Sequence, residues 1–262
     1  MERNNYELIK RKMEGLIDYG PDIFSESLLS YLEVSLSGIV FALEAKDEYS
    51  CRHSQRVSVL CERFAAELGL SAAARRRVRI TATLHDIGKI GIPDSVLLAP
   101  RRLTEEEFNV MKKHPVLGEQ ILEKTLEAQA DFAERIGSGS AIIRIAGRRP
   151  QNNPIAHSIS NQFDELLAGV RNHHERFDGK GYPDGIEGEN IPFIARLIAL
   201  CDSTDAMMSD RVYRKSIGSA RTVEEIENNR GKMYDPELAS LYIDRWDVIT
   251  DGVFSGGQDM KL

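Results

Sequence analysis

The placement of histidine constrains the fold of this chain more than any other feature. Five of the six histidines lie in four short clusters, and a fifth cluster carries two aspartates. The residues of these clusters with the side chains of metal ligands that we single out are His53, His85, Asp86, His114, His173, His174, Asp202 and Asp205. Four of the five clusters adjoin a stripe of apolar residues with helical spacing, which predicts that their polar groups point into the interior of a helix bundle.

The stripe next to His53 illustrates the pattern. Val57, Leu60 and Phe64 follow His53 at +4, +7 and +11, so they share its helix face. Burying imidazoles and carboxylates costs several kcal/mol each unless they are paired or bind metal. Inward-facing histidines and carboxylates in a bundle core are a known way to build a two-metal site. Taken singly, His53 or His114 also fits a hydrogen-bonded core histidine, and Asp202 and Asp205 also fit an exposed helix face.

Apolar residues recur at intervals of three and four along most of the chain, and strand-like alternation is scarce, which predicts an all-α multi-helix bundle. Thr104 and Glu107 form a capping box that opens one helix. The other helices are predicted at about 3–18, 24–46, 53–69, 72–87, 116–136, 159–174, 192–208, 219–229 and 236–246. We expect an N-terminal helical segment (1–46) that packs on the bundle or forms a homodimer, a main domain (47–250) with an irregular insertion at about 137–158, and a tail (251–262).

Charge and composition exclude several classes of protein. Lys and Arg number 34 against 41 Asp and Glu, a net charge of −7, which argues against a partner that is a nucleic acid polymer. An anionic ligand must therefore be bound by local charge. No signal peptide or membrane-spanning stretch is visible, and the three cysteines form no C-x-x-C pair. These features predict a cytoplasmic protein with reduced thiols and no membrane contact.

Several motifs resemble a known family, the HD-GYP domains of bacterial phosphodiesterases, within the HD superfamily of metal-dependent phosphohydrolases. The matching segments are HSQRV at 53–57, LHDIGKIGIPDSVL at 84–97, LTEEEF at 103–108, KKHPVLG at 112–118, HHERFDGKGYPDGIEGENIPFIARL at 173–197, ALCDSTDAM at 199–207 and DRVYRK at 210–215. The resemblance implies an all-α fold, a centre of two or three metal ions of iron or manganese, and hydrolysis of cyclic di-GMP to linear pGpG, or on to GMP, by a metal-bridging hydroxide.

The resemblance also implies roles for individual residues. One metal ion would be held by His53, His85, Asp86 and Asp202, and the second by Asp86, His114, His173 and His174, with Asp86 bridging. Lys89 would contact a phosphate oxygen in catalysis, beside the catalytic Asp86. Asp205 would support the site by orienting a ligand or a water; the alternative is a carboxylate that only pairs with a helix N–H or an arginine. The substrate would be bound by Gly181, Tyr182, Pro183, Arg211 and Arg214, and the loop at 181–183 would contact a diguanylate cyclase domain.

One departure from the family pattern bears on the number of metals. Tyr49 stands where some family members carry a glutamate for a third metal ion, so we expect two ions and pGpG as the product. Two other functions stay open. One is a non-catalytic cyclic dinucleotide receptor or signalling scaffold. The other is a phosphodiesterase for a different cyclic dinucleotide such as cyclic GMP-AMP, because no residue reads base identity unambiguously.

Overall fold

The computed structural model describes residues 25–135, 154–210 and 215–254, and within these ranges the chain forms helices and no β-strand. This confirms the predicted all-α class. The helices are α1 (Ser25–Lys46), α2 (Glu48–Glu67), α3 (Ala72–Leu84), α4 (Asp94–Leu97), α5 (Glu105–Met111), α6 (His114–Arg135), α7 (Pro154–Asn172), α8 (Phe193–Met208), α9 (Ser219–Asn228), α10 (Pro236–Asp244) and α11 (Trp246–Thr250). Short 3₁₀ helices lie at Ile87–Gly91 and Gly188–Asn190. In the described ranges, no helix has the length and hydropathy that crossing a bilayer requires.

Side-chain caps determine where several helices begin. The Thr104 hydroxyl accepts from the Glu107 N–H while the Glu107 carboxylate accepts from the Thr104 N–H, which confirms the predicted capping box. Asp235 caps α10 by accepting the N–H groups of Glu237 and Leu238 with its carboxylate, and Pro236 occupies the first turn of that helix. These local bonds satisfy N–H groups that have no partner within the helix.

Two hydrophobic clusters form the core, and α3 lies between them. Val78 and Ala82 face the first cluster, to which α2, α8, α9, α10 and α11 also contribute. Ile80 and Leu84 face the second, to which α1, α6 and α7 contribute. Because α3 is packed on both sides, the residues that follow its last turn are placed inside the bundle.

Some helix boundaries differ from the prediction. The helix predicted at 72–87 ends as an α-helix at Leu84 and is followed by the 3₁₀ helix at Ile87–Gly91, in which Gly88 packs directly on the backbone of α6. A β-carbon on Gly88 would overlap the carbonyl oxygen of His114, so only glycine permits this approach. Helix α7 begins at Pro154, within the segment predicted to be irregular, and the helix predicted at 236–246 ends at Asp244, with α11 following.

Both ends of the described chain pack on the bundle. Leu36 and Leu43 of α1 are buried in the second cluster, and the Lys46 ammonium donates to the carbonyl oxygens of Ile90 and Ile92 at 2.9 and 2.8 Å. At the other end Val253 is buried in the first cluster, so the predicted tail is packed at its start. Residues 1–24, 136–153, 211–214 and 255–262 lie outside the described part.

Candidate metal centre

The structure brings together all seven residues that the sequence analysis predicts as metal ligands. His53 lies on α2, His85 and Asp86 follow α3, His114 begins α6, His173 and His174 follow α7, and Asp202 lies on α8. Five of them are buried, and His174 and Asp202 are half-buried. The seven donors therefore come from five separate parts of the chain.

The donor atoms form two groups. In one, atoms of Asp86, His114, His173 and His174 lie within 4.8 Å of one another; in the other, atoms of His53, His85 and Asp202 do so. This is the division that the family resemblance implies, with Asp86 counted in the first group. Each group has the size and donor types of a site for one transition-metal ion.

The Asp86 carboxylate lies between the two groups. Its Oδ1 is 3.2 Å from Nε2 of His114, on one side. Its Oδ2 is 3.4 Å from Nε2 of His85 and 3.7 Å from Nε2 of His53, on the other. Because each oxygen faces a different group, one carboxylate can serve both ions.

Backbone contacts set the tautomer of three imidazoles. In each, Nδ1 lies within hydrogen-bond distance of the carbonyl oxygen three residues earlier. The pairs are His85 with Ala82 at 2.6 Å, His114 with Met111 at 2.8 Å, and His173 with Val170 at 2.7 Å. A carbonyl can only accept, so Nδ1 carries the proton and Nε2 presents a lone pair to the centre.

Among the described residues, no group donates a hydrogen bond to these Nε2 lone pairs. Nε2 of His114 lies 3.3 Å from Nε2 of His173, two acceptors facing each other. Nε2 of His85 is buried without a hydrogen-bond partner. Converging acceptors beside an ionised carboxylate are stabilised by a cation, so the residues present fit a metal centre. Neutral imidazole with carboxylate suits iron, manganese or zinc.

The protonation states agree with this interpretation. Burial, followed by the neighbouring His114, lowers the pKa of His174 to about 3, and burial and His174 hold the pKa of His173 well below its usual range. Burial alone would raise the pKa of Asp86, but the Lys89 ammonium and His85 outweigh it and hold that pKa well below its usual range. Neutral imidazoles and an ionised carboxylate are the forms that coordinate metal.

His53 differs because both of its nitrogens face carboxylates. Nε2 is 3.0 Å from Asp202, and Nδ1 is 2.6 Å from Asp205. Burial lowers the pKa of His53, but the two carboxylates outweigh it and raise that pKa to about 9. His53 must therefore lose its Nε2 proton before it can bind a metal ion.

Asp205 lies behind His53 rather than among the donor atoms. Its side chain is fully buried, and it also accepts from Arg56 Nε at 2.6 Å. The two alternatives raised for Asp205 thus coincide, since the same carboxylate contacts both a ligand imidazole and an arginine. The predicted catalytic residue Lys89 lies at the centre itself, with Nζ 2.5 Å from Oδ2 of Asp86.

The loop of the Gly-Tyr-Pro motif covers the centre on the side of His174. The Tyr182 ring stacks on the imidazole of His174, with centroids 4.8 Å apart. A β-carbon on Gly181 would overlap the backbone of Glu175 and Arg176, so glycine is required for this turn. Pro183 follows and borders a groove outside the centre.

Salt bridges hold this loop in place. Arg171, in the last turn of α7, binds both carboxylate oxygens of Asp184, Nε at 2.7 Å and Nη2 at 2.8 Å, and also pairs with Glu119. Glu175 Oε1 accepts the N–H groups of Asp184 and Gly185. The position of Tyr182 therefore depends on contacts that begin at the end of α7.

Two predicted arginines are not described by the structure, and two arginines near the site were not predicted. Arg211 and Arg214 lie outside the described residues. Sequence reasoning missed Arg56 and Arg171; the three-residue spacing of Arg56 from His53 on one helix could have indicated a shared face. No sequence signal pointed to the pairing of Arg171 with Asp184, because it joins a helix end to a loop.

The sequence and the fold of the chain are similar to those of known proteins. A model of the HD domain matches residues 51–207. The chain is 34% identical to a cyclic di-GMP phosphodiesterase of Thermotoga maritima over 96% of this chain and 59% of that protein. It is 36% identical to the cyclic di-GMP phosphodiesterase response regulator RpfG of Xanthomonas campestris pv. campestris, over 80% of this chain and 47% of that protein.

A third relative has a different named substrate. The chain is 29% identical to the 3′3′-cGAMP-specific phosphodiesterase 2 of Vibrio cholerae, over 79% of this chain and 33% of that protein. The chain thus spans from about a third to three fifths of the length of these relatives. Among solved structures, an HDGYP protein from Bdellovibrio bacteriovorus superimposes with a TM-score of 0.53 at 17% identity, covering 93% of this chain and 68% of that one, which supports the fold.

Proposed function

The chain belongs to the HD domain family, and from that premise we propose that it is a metal-dependent phosphodiesterase that hydrolyses cyclic di-GMP to linear pGpG. One observation carries this proposal. The two oxygens of Asp86 face two separate groups of histidine donors. Relatives with named cyclic di-GMP phosphodiesterase activity, at 34% and 36% identity, supply the substrate class.

We propose two metal ions, iron or manganese, at the two groups of donors. His53, His85 and Asp202 would hold one, His114, His173 and His174 the other, and Asp86 would bridge them. Two such ions supply Lewis-acid activation of water and neutralise charge on the phosphate. The chain's part is to hold the imidazoles with their Nε2 lone pairs turned inward.

Among the described residues, Lys89 is a cation that lies at this centre. Its ammonium is held by Asp86, and its side chain is 20% exposed, so it can reach a ligand that enters from solvent. A point charge there would stabilise negative charge that grows on a phosphate oxygen. Asp205 would act as a positioning residue through His53. Arg211 and Arg214, by the family resemblance, would bind the phosphates and bases.

A second candidate keeps the chemistry and changes the substrate. Relatives named 3′3′-cGAMP-specific phosphodiesterases match about as much of this chain, at 29% and 30% identity. Hydrolysis of 3′3′-cGAMP is therefore the alternative to be measured beside cyclic di-GMP. Contact of the loop at 181–183 with a diguanylate cyclase domain, a homodimer, and a cytoplasmic location stay predictions.

Product analysis tests the proposal. Protein loaded with Mn²⁺ or Fe²⁺ is incubated with cyclic di-GMP or with 3′3′-cGAMP, and the nucleotides are separated by chromatography. We expect pGpG from cyclic di-GMP and no product with the Asp86→Ala variant. Faster cleavage of 3′3′-cGAMP would favour the second candidate. The absence of product from protein that carries two metal ions would overturn both and leave a receptor or scaffold.

A further inference from the structure

A groove of about 380 Å³ lies outside the metal centre, along the loop of the Gly-Tyr-Pro motif. Its lining residues are Lys112, Lys113, Val116, Leu117, Tyr182 and Pro183. Apolar side chains thus form much of its wall, and two ammonium groups border it. This volume lies at the small end of the range for ligand pockets, so the groove can hold a part of a dinucleotide rather than the whole.

The two lysines have no acidic partner in the described part of the chain. Lys112 Nζ lies 4.8 Å from the ring centroid of Phe108 and 5.8 Å from that of Tyr182, and these aromatic faces are its contacts. In a chain with seven more acidic than basic groups, adjacent lysines without a carboxylate form a local positive site. Such a site attracts an anion.

An exposed aromatic side chain stands beside the lysines. Phe108, on α5, is 44% exposed, and its ring meets Tyr182 edge to face at 6.5 Å. A phenylalanine this exposed loses hydrophobic stabilisation unless something covers it. Nucleobases stack on such rings, at about 1–3 kcal/mol per base. Aromatic and cationic groups together therefore match a base with its phosphate.

Tyr182 connects the groove to the metal centre, because its ring lines the groove and also stacks on His174. One aromatic ring thus separates the groove from the metal donors. A cyclic dinucleotide with one phosphate at the centre must place its second phosphate and bases along the neighbouring surface.

We propose that this groove binds the half of the cyclic dinucleotide that is not being cleaved. Lys112 and Lys113 bind the second phosphate, and Phe108 with the apolar wall packs against a base. This assignment rests on the proposed phosphodiesterase function. It makes the three residues determinants of substrate affinity, separate from the metal ligands.

Steady-state kinetics with two substrates test the assignment. The variants are the double substitution Lys112→Ala with Lys113→Ala, Phe108→Ala, and Phe108→Trp, with Lys124→Ala as the control, an exposed lysine on α6. We expect the double variant and Phe108→Ala each to raise KM for cyclic di-GMP on the order of tenfold. We expect kcat, metal content and cleavage of the small diester bis(p-nitrophenyl) phosphate to stay unchanged, and Phe108→Trp to keep the wild-type KM.

Binding measurements separate failure of this assignment from failure of the proposed function. Calorimetry with a non-hydrolysable cyclic di-GMP analogue gives the affinity of the metal-loaded protein whether or not it turns over. If the wild-type protein shows no turnover but binds the analogue, and the double variant binds it more weakly, the hydrolysis is overturned and the groove assignment is supported. Equal KM and equal affinity in wild type and double variant would overturn the groove assignment alone. No binding and no turnover in wild type would overturn both.

Discussion

The carboxylate of Asp205 lies 2.6 Å from Nδ1 of His53, on the far side of the imidazole from the metal donors. Carboxylate–histidine pairs of this kind orient a ligand ring and make it more basic. Arg56, which is partly exposed, donates to this buried carboxylate and fixes it in turn. Asp205 therefore acts on the centre through His53.

Replacing Asp205 with asparagine tests this relationship. The amide oxygen can still accept from Nδ1, but one of the two carboxylate charges that raise the pKa of His53 is lost, and only that of Asp202 remains. We expect that pKa to fall from about 9, so that metal binding begins at a lower pH, while the less basic ligand binds metal about 10–100-fold more weakly at high pH. Metal titrations across pH measure both effects. Asp164→Asn, an exposed substitution on α7, is the control, and an unchanged pH profile in Asp205→Asn would contradict the role.

The position of Asp86 between the two donor groups predicts the stoichiometry of metal loss. Asp86→Ala removes a donor from both groups, so we expect both ions to be lost and no product to form. Asp202→Ala removes a donor from one group, so we expect one ion to remain. Elemental analysis of the purified variants measures the number of metal ions bound per chain. Loss of a single ion from Asp86→Ala would show that the carboxylate does not bridge.

Glu165 on α7 predicts a change of stability with pH. Its Oε2 is buried and has no hydrogen-bond partner among the residues that the structure describes, and burial raises its pKa from 4.5 to about 7, against a smaller opposing effect of Arg77. The folded state therefore holds this proton more tightly than the unfolded state does. Its contribution to stability is complete below about pH 4.5 and is lost as the pH rises through about 7.

Glu165→Gln removes that titration. At pH 8 we expect the free energy of unfolding of the variant to exceed that of wild type by about 1–2 kcal/mol, with a much smaller difference near pH 5. Urea unfolding with EDTA present, at both pH values, measures it free of bound metal. Glu123→Gln, on the exposed face of α6, should change neither value. A difference independent of pH would mean that Glu165 is ionised in the folded protein throughout.

Arg171 predicts the effect of loosening the loop that carries Tyr182. Arg171→Lys cannot bind both oxygens of Asp184, so the loop loses its fixed position against α7. We expect KM for cyclic di-GMP to rise on the order of tenfold while the metal content stays constant. Arg230→Lys, which disturbs an exposed pair with Glu227, serves as the matched control. Loss of metal from Arg171→Lys would indicate that the residue supports the centre instead.

Several local features of the structure could be predicted from the sequence. The capping box at Thr104 and Glu107 depends on residues three apart, and the stripe from His53 to Phe64 depends on helical spacing, so neither needs tertiary information. The break after Leu84 was not predicted. It depends on Gly88 meeting the backbone of α6, a contact between segments that no local pattern encodes.

The sequence by itself determined the all-α class and the residues whose burial demands a cation, because helical period and residue chemistry are local properties. Only the tertiary structure decided which atoms meet. His53 and Asp205 are 152 positions apart, and Arg171 reaches Asp184 across a loop, so their contacts depend on how α2, α7 and α8 pack. The same packing places Phe108 and Lys112 beside Tyr182, which makes a groove from segments that lie far apart in the chain.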